Sequence, residues 1–299
     1  MSVLFLGRRR VGTALVIAIE LTACRGQSVP QGAGGVIDDL GRTVVLSGPA
    51  ERIVSLSPAI TELLFAIGAG DRVVARTEWD KYPPQVADIP SVGDALGPSV
   101  ERIAAHRPDL VAMYAASSNA QAIDRLEAVG IPSVNIRLDS LASVARAARV
   151  LGRLTGLTAS ADSLAAVFQA TLDSARRAAP REGGLRVVIL ASDNPPIVIG
   201  GGSFLSEFLQ LAGAQNVFAD IAAPSAPVAL ETIAVRDPDL FLNFTFQEPA
   251  FAARPEWQTI AAVRERRFAV VGGSFFEYPS PRAFDAIREL RDALAGVMR

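Results

Sequence analysis

Six aromatic side chains follow apolar runs of strand length. Trp79 and Tyr82 come after Val73–Ala75, Tyr114 ends the run Leu110–Met113, and Phe275, Phe276 and Tyr278 come after Phe268–Val271. Only 6% of the chain is aromatic, and the C-terminal ends of strands are where open α/β sheets hold ligands. This grouping favours a planar, apolar or macrocyclic partner held by ring contacts. Each could instead be a lid over the core, the reading that suits Tyr82 and Phe276 best. Two carboxylates carry a second kind of chemistry. Glu101 and Glu231 each lie early in a predicted helix after a loop rich in Ser, Pro and Ala, with Ser99 as the N-cap of the first. One such Glu is explained by the first-turn dipole, worth about 0.3–1 kcal/mol. Two at equivalent places in related units form a pair of negative knobs, one on each unit.

Counting excludes much else. The chain has one His, His106, and one Cys, Cys24. Zinc sites, Cys-His nucleophile pairs and a Ser-His-Asp triad on any residue but His106 are therefore ruled out. His106 reads as a solvated helix end. No G-x-S-x-G elbow occurs. Gly200-Gly201-Gly202-Ser203 precedes a helix but lacks the lysine of a phosphate loop, so it reads as a turn near a cleft. Glu78, Asp80 and Asp94 have the oxygen chemistry of a hard-cation site, but solvated loop charge is the default, and no metal site is expected. A net charge of −2 with 29 basic against 31 acidic residues leaves no basic stripe for nucleic acid. These exclusions favour a binder over an enzyme, with no catalytic residue assigned.

The elements that must position these residues alternate short strand runs with helical patterns, which predicts an α/β fold with largely parallel sheets. Residues 141–180 change character to Ala, Leu, Arg, Asp and Gln at helical spacing, a bridging helical segment. Either side of it the sequence repeats itself. Glu101–Val111 and Glu231–Phe241 agree at six of eleven positions, Glu62–Ala69 echoes Glu207–Ala214, and Arg52–Leu56 echoes Arg186–Leu190, all in the same order. Two related lobes follow, at 36–140 and 181–299, joined by the bridge with a ligand cleft between them.

The N-terminus reads as a sorting signal. Arg8, Arg9 and Arg10 precede a short apolar stretch that ends in Leu21-Thr22-Ala23-Cys24. This is similar to a bacterial lipobox and implies a signal peptide over 1–23, lipidation at Cys24 and a flexible tether over 24–35. A lipid-anchored, extracytoplasmic, monomeric protein is expected, touching the membrane through its anchor alone.

Arg52-Ile-Val-Ser-Leu-Ser-Pro-Ala-Ile-Thr-Glu62, Tyr82-Pro-Pro, Ser91-Val-Gly93, Val100-Glu-Arg-Ile103 with Pro108-Asp-Leu110, and Ser280-Pro-Arg282 resemble the substrate-binding proteins of cobalamin and iron-siderophore ABC importers, most closely the cobalamin branch. The resemblance runs from about Val36 to the C-terminus. It implies two Rossmann-like lobes joined by a long rigid helix, no catalysis, and a corrinoid bound between the lobes as ligand, with no cofactor besides. It further implies an ABC permease as partner, its arginines met by Glu101 and Glu231. Trp79 and Tyr114 fall on corrinoid-contact positions of that branch, and Phe275 on or near one. Ala95, Ala191 and Ser225 depart from it, standing where the family often has further aromatics, which implies a wider pocket or a different ligand. A ferric siderophore or haem receptor of the same family remains an alternative, as does a non-transport surface module or enzyme on the same scaffold.

Overall fold

The computed structural model describes residues 35–180, 183–244, 249–273 and 276–297. The signal segment, the tether up to residue 34 with Cys24, and Phe275 lie outside the described residues. A small antiparallel hairpin of β1 (Val36–Ile37) and β2 (Thr43–Val44) opens the description. Its turn is closed by the Asp38 carboxylate, which accepts the amides of Leu40 and Arg42 at 3.0 and 2.9 Å.

The first lobe is built on β3 (Ile53–Leu56), β4 (Val73–Ala75), β5 (Leu110–Tyr114) and β6 (Ser133–Ile136), an all-parallel sheet in the order β4-β3-β5-β6. Helices α1 (Pro58–Ala66), α2 (Val100–Ala105) and α3 (Ala120–Ala128) connect the strands. The strands read as unbroken apolar runs because both faces are buried. In β5, Leu110 and Ala112 point into one core while Val111 and Met113 point into another.

Residues 141–180 fold as two helices, α4 (Leu141–Thr155) and α5 (Thr158–Ala178), separated by Gly156 at φ 73°. α4 packs on α1, while α5, 21 residues and about 31 Å long, reaches α6 (Phe204–Ala212) of the second lobe. Of the two, α5 is the helix that packs on an element of the second lobe.

The second sheet contains β7 (Arg186–Asp193), β8 (Pro196–Ile199), β9 (Gln215–Asn216), β10 (Ser225–Pro227), β11 (Leu240–Asn243) and β12 (Phe268–Val270), with α7 (Leu230–Arg236), α8 (Ala261–Arg264) and α9 (Ala283–Val297) beside α6. Its parallel part runs β9-β7-β11-β12, the strand order of the first lobe. It differs in being mixed, since β8 and β10 add an antiparallel edge. The residues shared by the two sequence repeats are those that fasten this topology. Asp109 accepts the amides of Glu51 and Arg52 at 2.9 and 3.0 Å, and the Arg52 guanidinium donates to the carbonyls of His106 and Arg107. In the second lobe Asp239 accepts the Arg186 amide at 2.7 Å, and Arg186 donates to the Arg236 carbonyl. Helices α1 and α6 both end at a left-handed glycine, Gly68 at φ 90° and Gly213 at φ 92°, a backbone that side chains with a Cβ disfavour.

One apolar core runs from α1 and β3 through α4 and α5 to α6, β7 and α9. Two smaller cores fill the outer faces of the sheets, the second around Trp257, Phe241 and Phe251. Residues Ala33–Arg299 accordingly form one compact unit. No helix among the described residues is long and apolar enough to cross a membrane.

Candidate functional site

A cavity of about 390 Å³ lies where the strand ends of the first lobe meet the second. From the first lobe come Ser57, just after β3, Tyr114 at the end of β5, and Leu138 and Asp139 just after β6. The second lobe contributes Gly202, Ser203 and Phe204 at the start of α6, and Glu277, Tyr278 and Pro279 after β12. The hollow continues past Asp139 and Ser203 into a second of about 510 Å³, where Arg176 is engaged by Glu207 at 2.5 Å. A third, of about 260 Å³, opens at the ends of β7 and β11 and includes Ala191. Among the described residues lining the first cavity there are two carboxylates, Asp139 and Glu277, three aromatic rings and no Lys, Arg or His.

Tyr114 donates its hydroxyl to Asp139. Burial, the hydrogen bond to Asp139 and that carboxylate's charge together push the phenol up to about 12. Folding therefore favours the neutral phenol, so its contribution to stability is complete below about pH 10 and is lost as pH rises toward 12. An ultraviolet difference titration should show a phenol of the native protein ionising above about pH 11 that is missing from Tyr114→Phe. Identical titration curves for the two proteins would contradict this environment.

Trp79 stands at the C-terminal edge of the same sheet, after β4. It is 57% exposed and does not line the cavity. Its ring nitrogen donates to Asp94 at 3.3 Å, and its amide donates to the Thr77 hydroxyl at 3.2 Å. Asp80 closes this turn from inside. It is 2% exposed and accepts the Thr77 amide at 3.0 Å and the Thr77 hydroxyl. Burial pushes its carboxyl up, and the bonds from Thr77 pull it partly back. The reading of Asp80 as solvated loop charge is thereby corrected: it and Asp94 hold the Trp79 turn. No cluster of potential metal ligands occurs among the described residues.

Phe276 is 5% exposed and packs against Phe208 and Phe244, with ring centroids 6.1 and 5.9 Å apart, so of its two readings it has the packing of a lid over the core. Tyr82 is 40% exposed and lies against the Arg282 guanidinium, 4.0 Å from its ring centroid. That guanidinium belongs to a group that crosses the lobes. Arg282 donates from Nε to Glu62 Oε2 at 2.9 Å and from its terminal nitrogen to Glu62 Oε1, which also accepts the Tyr278 hydroxyl at 3.0 Å. Asp139, Tyr278 and the Glu62 group were not legible as site residues individually. Tyr278 carried only the signal of an aromatic after a strand, and Glu62 and Arg282 only their place in the quoted motifs.

Glu101 and Glu231 occupy the first turns of α2 and α7, equivalent helices of the two lobes, and both are exposed. Glu101 accepts the Ser99 hydroxyl at 2.9 Å, while Ser99 accepts the Arg102 amide. Its own backbone amide and the Ser99 hydroxyl hold its carboxyl below the usual range, so it stays ionised.

The family model described as periplasmic binding protein matches residues 53–274. Among curated proteins, the chain is 28% identical over 245 residues to the vitamin B12-binding protein of Vibrio campbellii, covering 82% of this chain and 89% of that one. Among solved structures, it is similar to the periplasmic vitamin B12 binding protein BtuF of Vibrio cholerae, with TM-score 0.70 and 26% identity over 84% of this chain and 99% of the other. It is also similar to the periplasmic heme-binding protein RhuT of Roseiflexus sp. RS-1, with TM-score 0.71 and 25% identity over 82% and 99%.

Proposed function

Because the chain belongs to the periplasmic binding protein family, we propose that it captures a corrinoid between its lobes, outside the cytoplasm, and delivers it to an ABC-type permease. It acts as a monomer held to the membrane through a lipid on Cys24 and performs no chemistry. The observation that carries the choice of ligand is the make-up of the first cavity: Tyr114, Phe204 and Tyr278 beside Asp139 and Glu277, with no cationic side chain among its described lining residues. A corrin ring is bordered by carboxamides, whose N–H groups suit carboxylate acceptors, and its faces suit aromatic contact. Haem carries propionates and many ferric siderophores are anionic, and both call for arginine or lysine. Arg176, in the adjoining hollow, is already paired with Glu207. The relatives named for vitamin B12 support the same reading. Trp79 covers the ligand from the rim while Tyr114 meets it from the cavity wall. Isothermal titration tests the charge argument directly: Asp139→Arg should weaken cobalamin binding about tenfold, and an unchanged affinity would remove the carboxylate from recognition.

Glu101 and Glu231 serve as the docking knobs, one per lobe. Glu→Arg at either should lower ligand transfer into permease-containing vesicles by about tenfold while leaving ligand affinity within about twofold, because rim charges act on encounter and register. Equal loss of ligand affinity in both variants would move these residues into the pocket and refute docking.

A further inference from the structure

The lobes are joined covalently through α5, yet a second tie crosses between them through a single carboxylate. Glu62 stands in α1 of the first lobe, and its partners Tyr278 and Arg282 lie 216 and 220 positions later, in the segment that leads into α9. The side chains of the ion pair are 1% and 14% exposed. Both Glu62 oxygens are used, one by Arg282 Nε and the other by the Arg282 terminal nitrogen together with the Tyr278 hydroxyl. The Arg282 amide donates to Ser280 Oγ at 3.2 Å, and Ser280 is fully buried, which fixes the segment from its own side. An apolar pair of the same volume would serve stability as well as a buried ion pair, so the feature such a pair adds is direction. Here the direction is toward the cleft, since Tyr278 forms part of the cavity wall and Arg282 carries the Tyr82 ring.

We propose that Glu62 is a positioning residue for the cleft: it holds the Tyr278 ring in the cavity wall and Arg282 against Tyr82, so that the second lobe's contribution to the site is in place before a ligand arrives. This rests on the reading of the cavity as the ligand site. A preformed wall spares the ligand the cost of ordering it, which appears as slower dissociation. The group that tunes the site touches no ligand itself, and its removal acts through Tyr278.

The test has one arm that needs no ligand. In hydrogen exchange on the ligand-free full chain, Glu62→Gln should speed exchange of the amides of Arg282 and Ala283 at least about tenfold, while β3 and β7 stay unchanged. In the second arm, cyanocobalamin should dissociate about tenfold faster from Glu62→Gln and from Tyr278→Phe. The double variant should be little worse than Glu62→Gln alone, because the Tyr278 link that Tyr278→Phe removes runs through Glu62. Tyr278→Phe keeps the ring and removes only the bond, so it answers the question even if Glu62→Gln folds poorly. Unchanged exchange in the Arg282 segment overturns the proposal. So does faster exchange combined with native dissociation, or fully additive effects of the two substitutions. If the native protein does not bind cyanocobalamin at all, the corrinoid reading fails and the exchange arm alone decides whether Glu62 positions the segment.

Discussion

Arg282→Met is expected to cost about 3–5 kcal/mol of folding stability, because it leaves the Glu62 carboxylate buried at 1% side-chain exposure without its cationic partner. Urea unfolding followed by circular dichroism would record this as a fall in midpoint at nearly constant slope. The companion double variant, Glu62→Leu with Arg282→Met, should recover most of the loss, since it removes the charge along with the need to pair it. A single variant within about 1 kcal/mol of the native protein, or a double variant as unstable as the single, would show that the pair is not desolvated in solution.

The second large effect concerns binding. If Trp79 and Tyr114 grip the ligand as proposed, Trp79→Ala and Tyr114→Ala should each lose about 1–3 kcal/mol of cobalamin affinity, roughly fivefold to more than a hundredfold, because an aromatic ring offers a large rigid contact at small entropic cost. Trp79 reports on itself through fluorescence quenching. The other indole, Trp257, is 2% exposed and stacked on Phe251 at 4.4 Å, so it contributes a steady background. Native affinity in both variants would exclude an aromatic grip from the first lobe.

The parallel strands were legible because burial on both faces leaves an uninterrupted apolar run, as in Val187–Leu190, and because left-handed residues punctuate the helices between them. The repeat was legible for the same reason: Asp109 and Asp239 do identical work at two strand starts. The antiparallel edge was not, since β8 and β10 are short and contain proline. Of the aromatic positions after strands, Tyr114 and Tyr278 line the cavity while Trp79 does not and Phe276 went to the core, because period and spacing do not say which ring turns inward. Asp139 carried no signal beyond an acidic residue after a strand. Its place in the site comes from the first two hollows meeting at one carboxylate. The Glu62 group joins residues more than two hundred positions apart, a separation no local pattern encodes.

The central claim, a cleft built for a neutral, amide-bordered macrocycle, is tested most directly by spectral titration of the purified protein with cyanocobalamin, haem and a ferric siderophore in parallel. The expected result is a saturable one-to-one change with cyanocobalamin, accompanied by quenching of Trp79, and none with the other two at matched concentration. Saturable binding of haem or the siderophore with cyanocobalamin ignored would contradict it.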